Sequence, residues 1–166
     1  MANIFPEVIE YTPSAFEDYR GTIWTTWEKD NPIINPEDDF TCSKFSKSHQ
    51  NVLRGLHGDE KTWKLITCVF GEVYFVVVDN RSNSDSYLNW DSWILSDSNR
   101  LEVLVPPRFA NGHLVLSETA VFHYQMAFDG EYNDIDRQFT LKWNDPKIGI
   151  PWPINNPILS RRDQGS

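Results

Sequence analysis

The sequence predicts an all-β fold, a sandwich or barrel whose natural closed form is a jelly roll. Three observations carry this expectation. About ten short runs rich in β-branched and aromatic residues are separated by Gly, Pro, Asn and Asp turn signals. No stretch shows the 3.6-residue periodicity of a long amphipathic helix, so helices are expected to be short and peripheral at most. Aromatic residues make up 14% of the 166 residues, seven of them Trp, and rings in that number suit sheet faces, interfaces and ring-stacking pockets.

The elements follow in chain order. Residues 13–21 are a turn-rich approach to an extended segment at 22–27, where Thr, Ile and Trp favour a strand. Residues 30–39 hold two prolines and several acids and read as a loop. Strands are expected at 40–48 and 52–57. Over 64–79, two β-branched runs flank Phe70-Gly71-Glu72, as in a hairpin with a tight glycine turn. Further strands are expected at 87–95 and 100–105. Pro106-Pro107 begins a turn reaching Gly112, after which 114–116 resumes a strand. Residues 119–128 form another strand, and 139–143 a short one before a proline-rich tail. The whole chain, 1–166, reads as a single domain, long enough to bury a core.

Fifteen basic against 24 acidic residues give a net charge of −9 and a pI near 4.8. That balance argues against nucleic-acid or anionic-membrane binding, but leaves room for a small anion site built from two or three cations. No apolar run reaches the roughly 20 residues of a membrane helix. The first residues lack a basic leader followed by an apolar stretch, so a cytoplasmic protein is expected. Cys42 and Cys68 stand far apart with no CxxC, as two reduced thiols would.

Four histidines are available: His49, His57, His113 and His123. A metal site needs two or three of them converging with a carboxylate. His57-Gly58-Asp59 only weakly suggests a ligand pair, with His113 as a third, and no metal or other cofactor is expected. Spacing alone leaves Arg54 and Lys64 as solvated charges, Tyr124 as a sheet residue and Asp163 in a tail.

Six segments taken in order change that reading: Phe16-Glu17-Asp18-Tyr19-Arg20-Gly21; Asn51 through Arg54-Gly55-Leu56-His57; Gly71 to Arg81; Pro107-Arg108-Phe109-Ala110-Asn111-Gly112; Trp143-Asn144-Asp145-Pro146; and Ile150 to Asp163. Across essentially the whole chain they resemble the nucleotide-sugar 4-keto 3,5-epimerases, the dTDP-4-dehydrorhamnose 3,5-epimerase family, which have a cupin jelly roll (a double-stranded β-helix). A narrower resemblance involves His57-Gly58-Asp59, Thr67-Cys68-Val69, Asp129 to Tyr132, Gln138-Phe139-Thr140 and Pro157 to Ser160. These look like the bacterial branch acting on GDP-4-keto-6-deoxy-heptoses in capsule synthesis.

The resemblance implies a cofactor-free isomerase that inverts C3, C5 or both of a nucleoside-diphosphate 4-keto-6-deoxy sugar, with a GDP-linked heptose favoured. A dTDP-linked hexose is the alternative, and a non-catalytic or metal-binding cupin a further one. A C4 ketone acidifies the neighbouring C–H bonds, so inversion needs a base on one face, an enolate stabiliser, and an acid on the other. By resemblance His57 is the base, Asp163 its orienting carboxylate, Lys64 the cation near the C4 oxygen and Tyr124 the opposite-face acid. Arg54 and Arg20 match diphosphate or nucleotide contacts, with Arg20 reaching a neighbouring subunit of a homodimer whose interface includes the Trp24–Trp27 segment. Tyr132 lies near a stacking tyrosine. Three departures stand out: Lys44 replaces an Asn and Cys42 a Gln in the nucleotide site, while Asn111 replaces a second pocket histidine, with His113 two residues on. Strand alternation turns His123 to the face opposite Tyr124, a structural position.

Overall fold

Gly71 is the corner of the fold. The apolar runs on either side of it do not pair with each other, as a hairpin would require. They belong to two different sheets. The structure, a computed structural model, describes residues 4–34, 36 and 39–165; positions 35, 37 and 38 of the loop expected over 30–39 lie outside them. Its strands are β1 Ile9–Tyr11, β2 Ala15–Asp18, β3 Gly21–Trp24, β4 Phe40–His49, β5 Leu53–Gly58, β6 Trp63–Phe70, β7 Glu72–Asp79, β8 Trp90–Ser96, β9 Glu102–Val105, β10 Phe109–Val115, β11 Thr119–Ala127 and β12 Phe139–Thr140. A 3₁₀ turn spans Ile135–Arg137, and one short helix, α1, spans Arg161–Gln164.

One sheet has the order β1-β9-β6-β11-β4, the other β12-β5-β10-β7-β8, and β2 and β3 form a separate hairpin. Every pairing is antiparallel, and the two five-stranded sheets make the expected jelly roll. Gly71 takes φ +77°, and a Cβ there would collide with the Thr119 carbonyl. Glycine therefore lets the chain leave β6 and enter the facing sheet.

The main core lies between the sheets. Ile66 and Cys68 of β6 meet Val73, Phe75 and Val77 of β7, with Trp93, Leu95, Val103 and Phe122 completing the layer. The alternate β7 residues, Val76 and Val78, are equally buried, against Ile148 and the partly buried Leu141, Ile150 and Trp152 of the C-terminal segment. Covering on both faces is why β7 reads as an unbroken apolar run and not as an alternating one.

Several boundaries differ from expectation. The extended segment stops at Trp24, because Trp27 folds back to meet Phe40 edge-on at a ring-centroid distance of 5.2 Å. β1 and β2 were hidden by their acids and by the flanking Pro6 and Pro13. Residues 87–89 are a turn, and β8 starts at Trp90. β9 starts at Glu102, and β12 ends at Thr140. The turn at 106–112 closes by Arg108, at φ +69°, and Phe109 already belongs to β10. Among the described residues no helix is long and apolar enough to cross a membrane.

Glu102 is fully buried, and neither carboxylate oxygen has a hydrogen-bond partner among the described residues. Burial pushes its carboxyl up to about 8 from an ordinary 4.5. Between those values the folded chain holds a proton that the unfolded chain has released, so stability falls as pH rises toward 8. Glu102→Gln removes the ionisation. It is expected to add about 1–3 kcal/mol above pH 8 and to flatten the pH dependence of urea unfolding. An unchanged pH dependence would contradict this account.

Candidate active site

A cavity of about 160 Å³ opens between the sheets. Its floor and walls come from five strands, and its mouth from the segment between β11 and β12. On β5, Arg54 and His57 both line it. Three residues apart, they would point to opposite faces of a regular strand. The pairing of β5 with β10 explains why they do not. Asn111 pairs with His57 and His113 with Arg54, so β5 holds one extra residue there, a β-bulge. Gly55 takes φ +128° inside it, and a Cβ at Gly55 would lie 2.5 Å from the Gly112 Cα. Two glycines thus let the backbones close up, and the bulge turns both side chains inward.

His57 Nε2 lies 2.6 Å from Asp163 Oδ1. An ionised carboxylate only accepts, so Nε2 carries the hydrogen and Nδ1 keeps the lone pair. Asp163 is buried on α1. Burial works to raise its carboxyl, but the hydrogen bonds from His57 and Ser160, with the positive charge of Arg162, hold it below its usual range. The Ser160 hydroxyl donates to Asp163 Oδ2 at 2.8 Å and accepts from the Asp163 N–H at 3.2 Å. This reciprocal cap was readable as Ser-x-x-Asp but was missed as a feature of the site.

The opposite sheet supplies Lys64 and Tyr124. On β11, Phe122, Tyr124 and Met126 alternate into the cavity, and Lys64 is the cross-strand neighbour of Met126. Burial pushes the Lys64 ammonium down to about 8, with Asp59 opposing that shift and Arg162 adding to it. His123 faces away, as expected: it is hydrogen-bonded to Ser43 at 2.8 Å and stacked on Phe45.

Arg54 Nε donates to Ser48 Oγ at 3.1 Å. Beside it His113 is buried and stacked on Phe122, with centroids 3.9 Å apart. Burial first, and the Arg54 charge second, push its imidazole down to about 3, so it stays neutral. Asn111 donates to the His57 carbonyl at 3.1 Å. At the mouth the Lys44 ammonium sits 3.9 Å over the Tyr132 ring, a cation–π pair. Gln138, quoted in the sequence only as part of a resembling segment and given no role there, joins the lining.

Arg20 is not brought to this cavity. It lies in the exposed β2–β3 turn and pairs with Asp18 at 2.6 Å. Among the described residues no three His, Cys, Asp or Glu side chains converge as a metal-binding group.

A model of the dTDP-4-dehydrorhamnose 3,5-epimerase family matches residues 3–166. The dTDP-4-dehydrorhamnose 3,5-epimerase of Salmonella typhimurium strain LT2 is 35% identical over 164 residues, covering 95% of this chain and 88% of that protein. The crystal structure of dTDP-6-deoxy-D-glucose-3,5-epimerase RmlC from Legionella pneumophila Philadelphia 1, in complex with dTDP-4-keto-L-rhamnose, superposes with a TM-score of 0.92. It shares 30% identity over 99% of this chain and 88% of that one. ChmJ, a 3'-monoepimerase from Streptomyces bikiniensis in complex with dTDP-quinovose, gives 0.87 at 25% identity, covering 96% and 82%. All three are named for dTDP sugars or bind one, and they lend no support to the narrower resemblance to GDP-heptose enzymes. On the match from residue 3 to residue 166 and the identity to curated sugar isomerases, the chain belongs to the dTDP-4-dehydrorhamnose 3,5-epimerase family.

Proposed function

We propose that this enzyme epimerises a dTDP-linked 4-keto-6-deoxy sugar at C3, C5 or both, without a cofactor. The observation that carries the reading is one cavity with His57, paired to Asp163 of α1, on one sheet and Lys64 with Tyr124 on the other. In this reading His57 Nδ1 removes the proton from the carbon next to the ketone. The C–H electron pair becomes the enolate π bond, and negative charge gathers on the C4 oxygen. Asp163 holds the imidazole and stabilises the cation that forms. Lys64 faces the developing oxyanion in a site shielded from water. Tyr124 delivers a proton from the opposite wall, and bulk solvent restores the starting protonation of both groups. Arg54 binds the diphosphate, Tyr132 stacks on the base, and Asn111 and His113 line the sugar end.

The base and the number of centres are the finer points. Relatives named for dTDP favour thymidine. Lys44 supports a second reading, a GDP-linked heptose, because it stands at the mouth against Tyr132 where the resemblance expects Asn, and an ammonium suits the acceptor edge of guanine. Asn111 in place of a second histidine bears on whether one centre or two are inverted. Incubating the enzyme in D2O with dTDP- and GDP-4-keto sugars decides both. NMR reads which nucleotide supports exchange and which carbons take up deuterium; no exchange with either would refute the reading.

Removing the acid should split exchange from inversion. Tyr124→Phe keeps the base, its carboxylate and Lys64, so deuterium should still enter by return to the same face. Epimer formation should fall by about 10²–10⁴-fold. His57→Asn should abolish both while nucleotide binding persists. A parallel loss of exchange and inversion in Tyr124→Phe would remove Tyr124 from the acid's role.

Lys64 sets the alkaline limit. A lysine is charged below its pKa, so kcat/KM should decline above about pH 8 as the oxyanion partner loses its proton. A pH–rate profile that stays level well beyond that point would argue against Lys64 in this role.

The site is completed, in this reading, by a second subunit. Arg20 sits on a hairpin whose Phe16, Tyr19 and Ile23 are 63%, 97% and 70% exposed, an apolar surface suited to an interface. Trp27 is used inside the chain, so this hairpin takes the place of the Trp-rich segment as the proposed contact. Sedimentation is expected to show a homodimer; a fully active monomer would contradict it.

A further inference from the structure

Arg162 precedes Asp163 on α1 and has no part in the chemistry above. Its Nε donates to the Thr140 hydroxyl at 2.9 Å, and its Nη1 to Gln138 Oε1 at 3.2 Å. Nη2 is buried without a partner among the described residues. Gln138 in turn donates from Nε2 to the Tyr132 hydroxyl at 3.1 Å and to the Asn133 carbonyl at 2.9 Å. An arginine has no acceptor, so it fixes which way the Gln138 amide faces. The amide nitrogen must then point toward Tyr132 and the Asn133 carbonyl. Without that constraint the Gln138 side chain is held only from the side of Tyr132 and Asn133.

The same guanidinium acts on the reacting groups through its charge. It opposes protonation of Lys64 and favours ionisation of Asp163. The titratable and charged groups around Lys64 are Asp59 on the turn before β6, Arg162 on α1, Tyr124 and Lys44 on its own sheet, and, across the cavity, His57, Arg54 and His113. Of these, Asp59 and Arg162 are the two whose charges bear on it most, and they act in opposite senses.

We propose that Arg162 is a positioning residue of the active site: it locks Gln138, and through it Tyr132, to the helix that carries Asp163, while placing a fixed positive charge beside Lys64. The mouth at Tyr132 is thereby tied to the wall that holds the base. An arginine that only docks the tail would need the Thr140 bond and nothing more. The inference deepens the epimerase reading and rests on it for the nucleotide's place at Tyr132.

Three variants test it: Arg162→Lys keeps the charge and loses the fork, Arg162→Gln loses both, and Thr140→Val removes only the tail-docking bond. KM for the sugar nucleotide should rise about 5–20-fold in both Arg162 variants, as for loss of one charge-assisted hydrogen bond, with kcat falling less. It should stay near wild type in Thr140→Val. The carbon-13 resonance of Lys64, assigned by its loss in Lys64→Met, should titrate near pH 8 in the wild type and in Arg162→Lys, and at higher pH in Arg162→Gln. The NMR arm needs no substrate, so it judges Arg162 even if no sugar nucleotide is turned over, an outcome that would refute the function reading by itself. An unmoved Lys64 titration in Arg162→Gln would overturn the proposal. So would a Thr140→Val variant that reproduces the rise in KM.

Discussion

The close approach of β5 and β10 is the constraint on which the site depends. Gly55 and Gly112 face each other where any side chain would strike the opposing backbone. The bulge they permit gives β5 one residue more than its partner, and so cancels the alternation that would send Arg54 out when His57 points in. With the cation and the imidazole on one wall, α1 needs only to bring Asp163 within 2.6 Å of the ring. The Ser160 cap fixes that carboxylate before any substrate arrives, so the orientation of His57 is a property of the folded chain.

The protein carries a net charge of −9, yet the cavity between the sheets is lined by Lys44, Arg54 and Lys64. A basic pocket in an acidic protein attracts anions to that pocket. Depth grades the cations. Lys44 and Arg54 stay in contact with solvent at the mouth and flank, where a diphosphate or a base edge is reached. Lys64 is buried, and its ammonium is correspondingly easier to deprotonate. His113 is the extreme case, held neutral by burial and by Arg54, so it offers hydrogen bonding but no charge.

The jelly roll sets the two walls against each other. Inverting a carbon next to a ketone requires proton transfer on both faces of a planar intermediate. A cavity between two sheets gives each face its own strand set: β5 and β10 on one side, β6 and β11 on the other. The segment 129–138 then covers the opening, held by Lys61 to the carbonyls of Asp129 and Glu131 and by the Gln138 bonds to Tyr132 and Asn133.

The sequence by itself determined the all-β class, most of the strands, and the inward turn of Tyr124 against the outward turn of His123, while His57, Lys64, Tyr124 and Asp163 were singled out only by the family resemblance. Those follow from local rules: side chains alternate along a strand, β-branched residues favour extended backbone, and a motif keeps its residues in order. Tertiary structure decided the rest. The runs around Gly71 look like a hairpin because sequence shows only two apolar segments and a glycine; which sheet each joins depends on partners tens of residues away. Arg54 and His57 share a wall only because of a bulge whose second glycine is on another strand. Arg162 and Gln138 carry no local signal, since a guanidinium and an amide gain meaning from what they touch. The depressed ionisation of Lys64 is likewise invisible along the chain, because desolvation is a property of the packed interior and not of the residue.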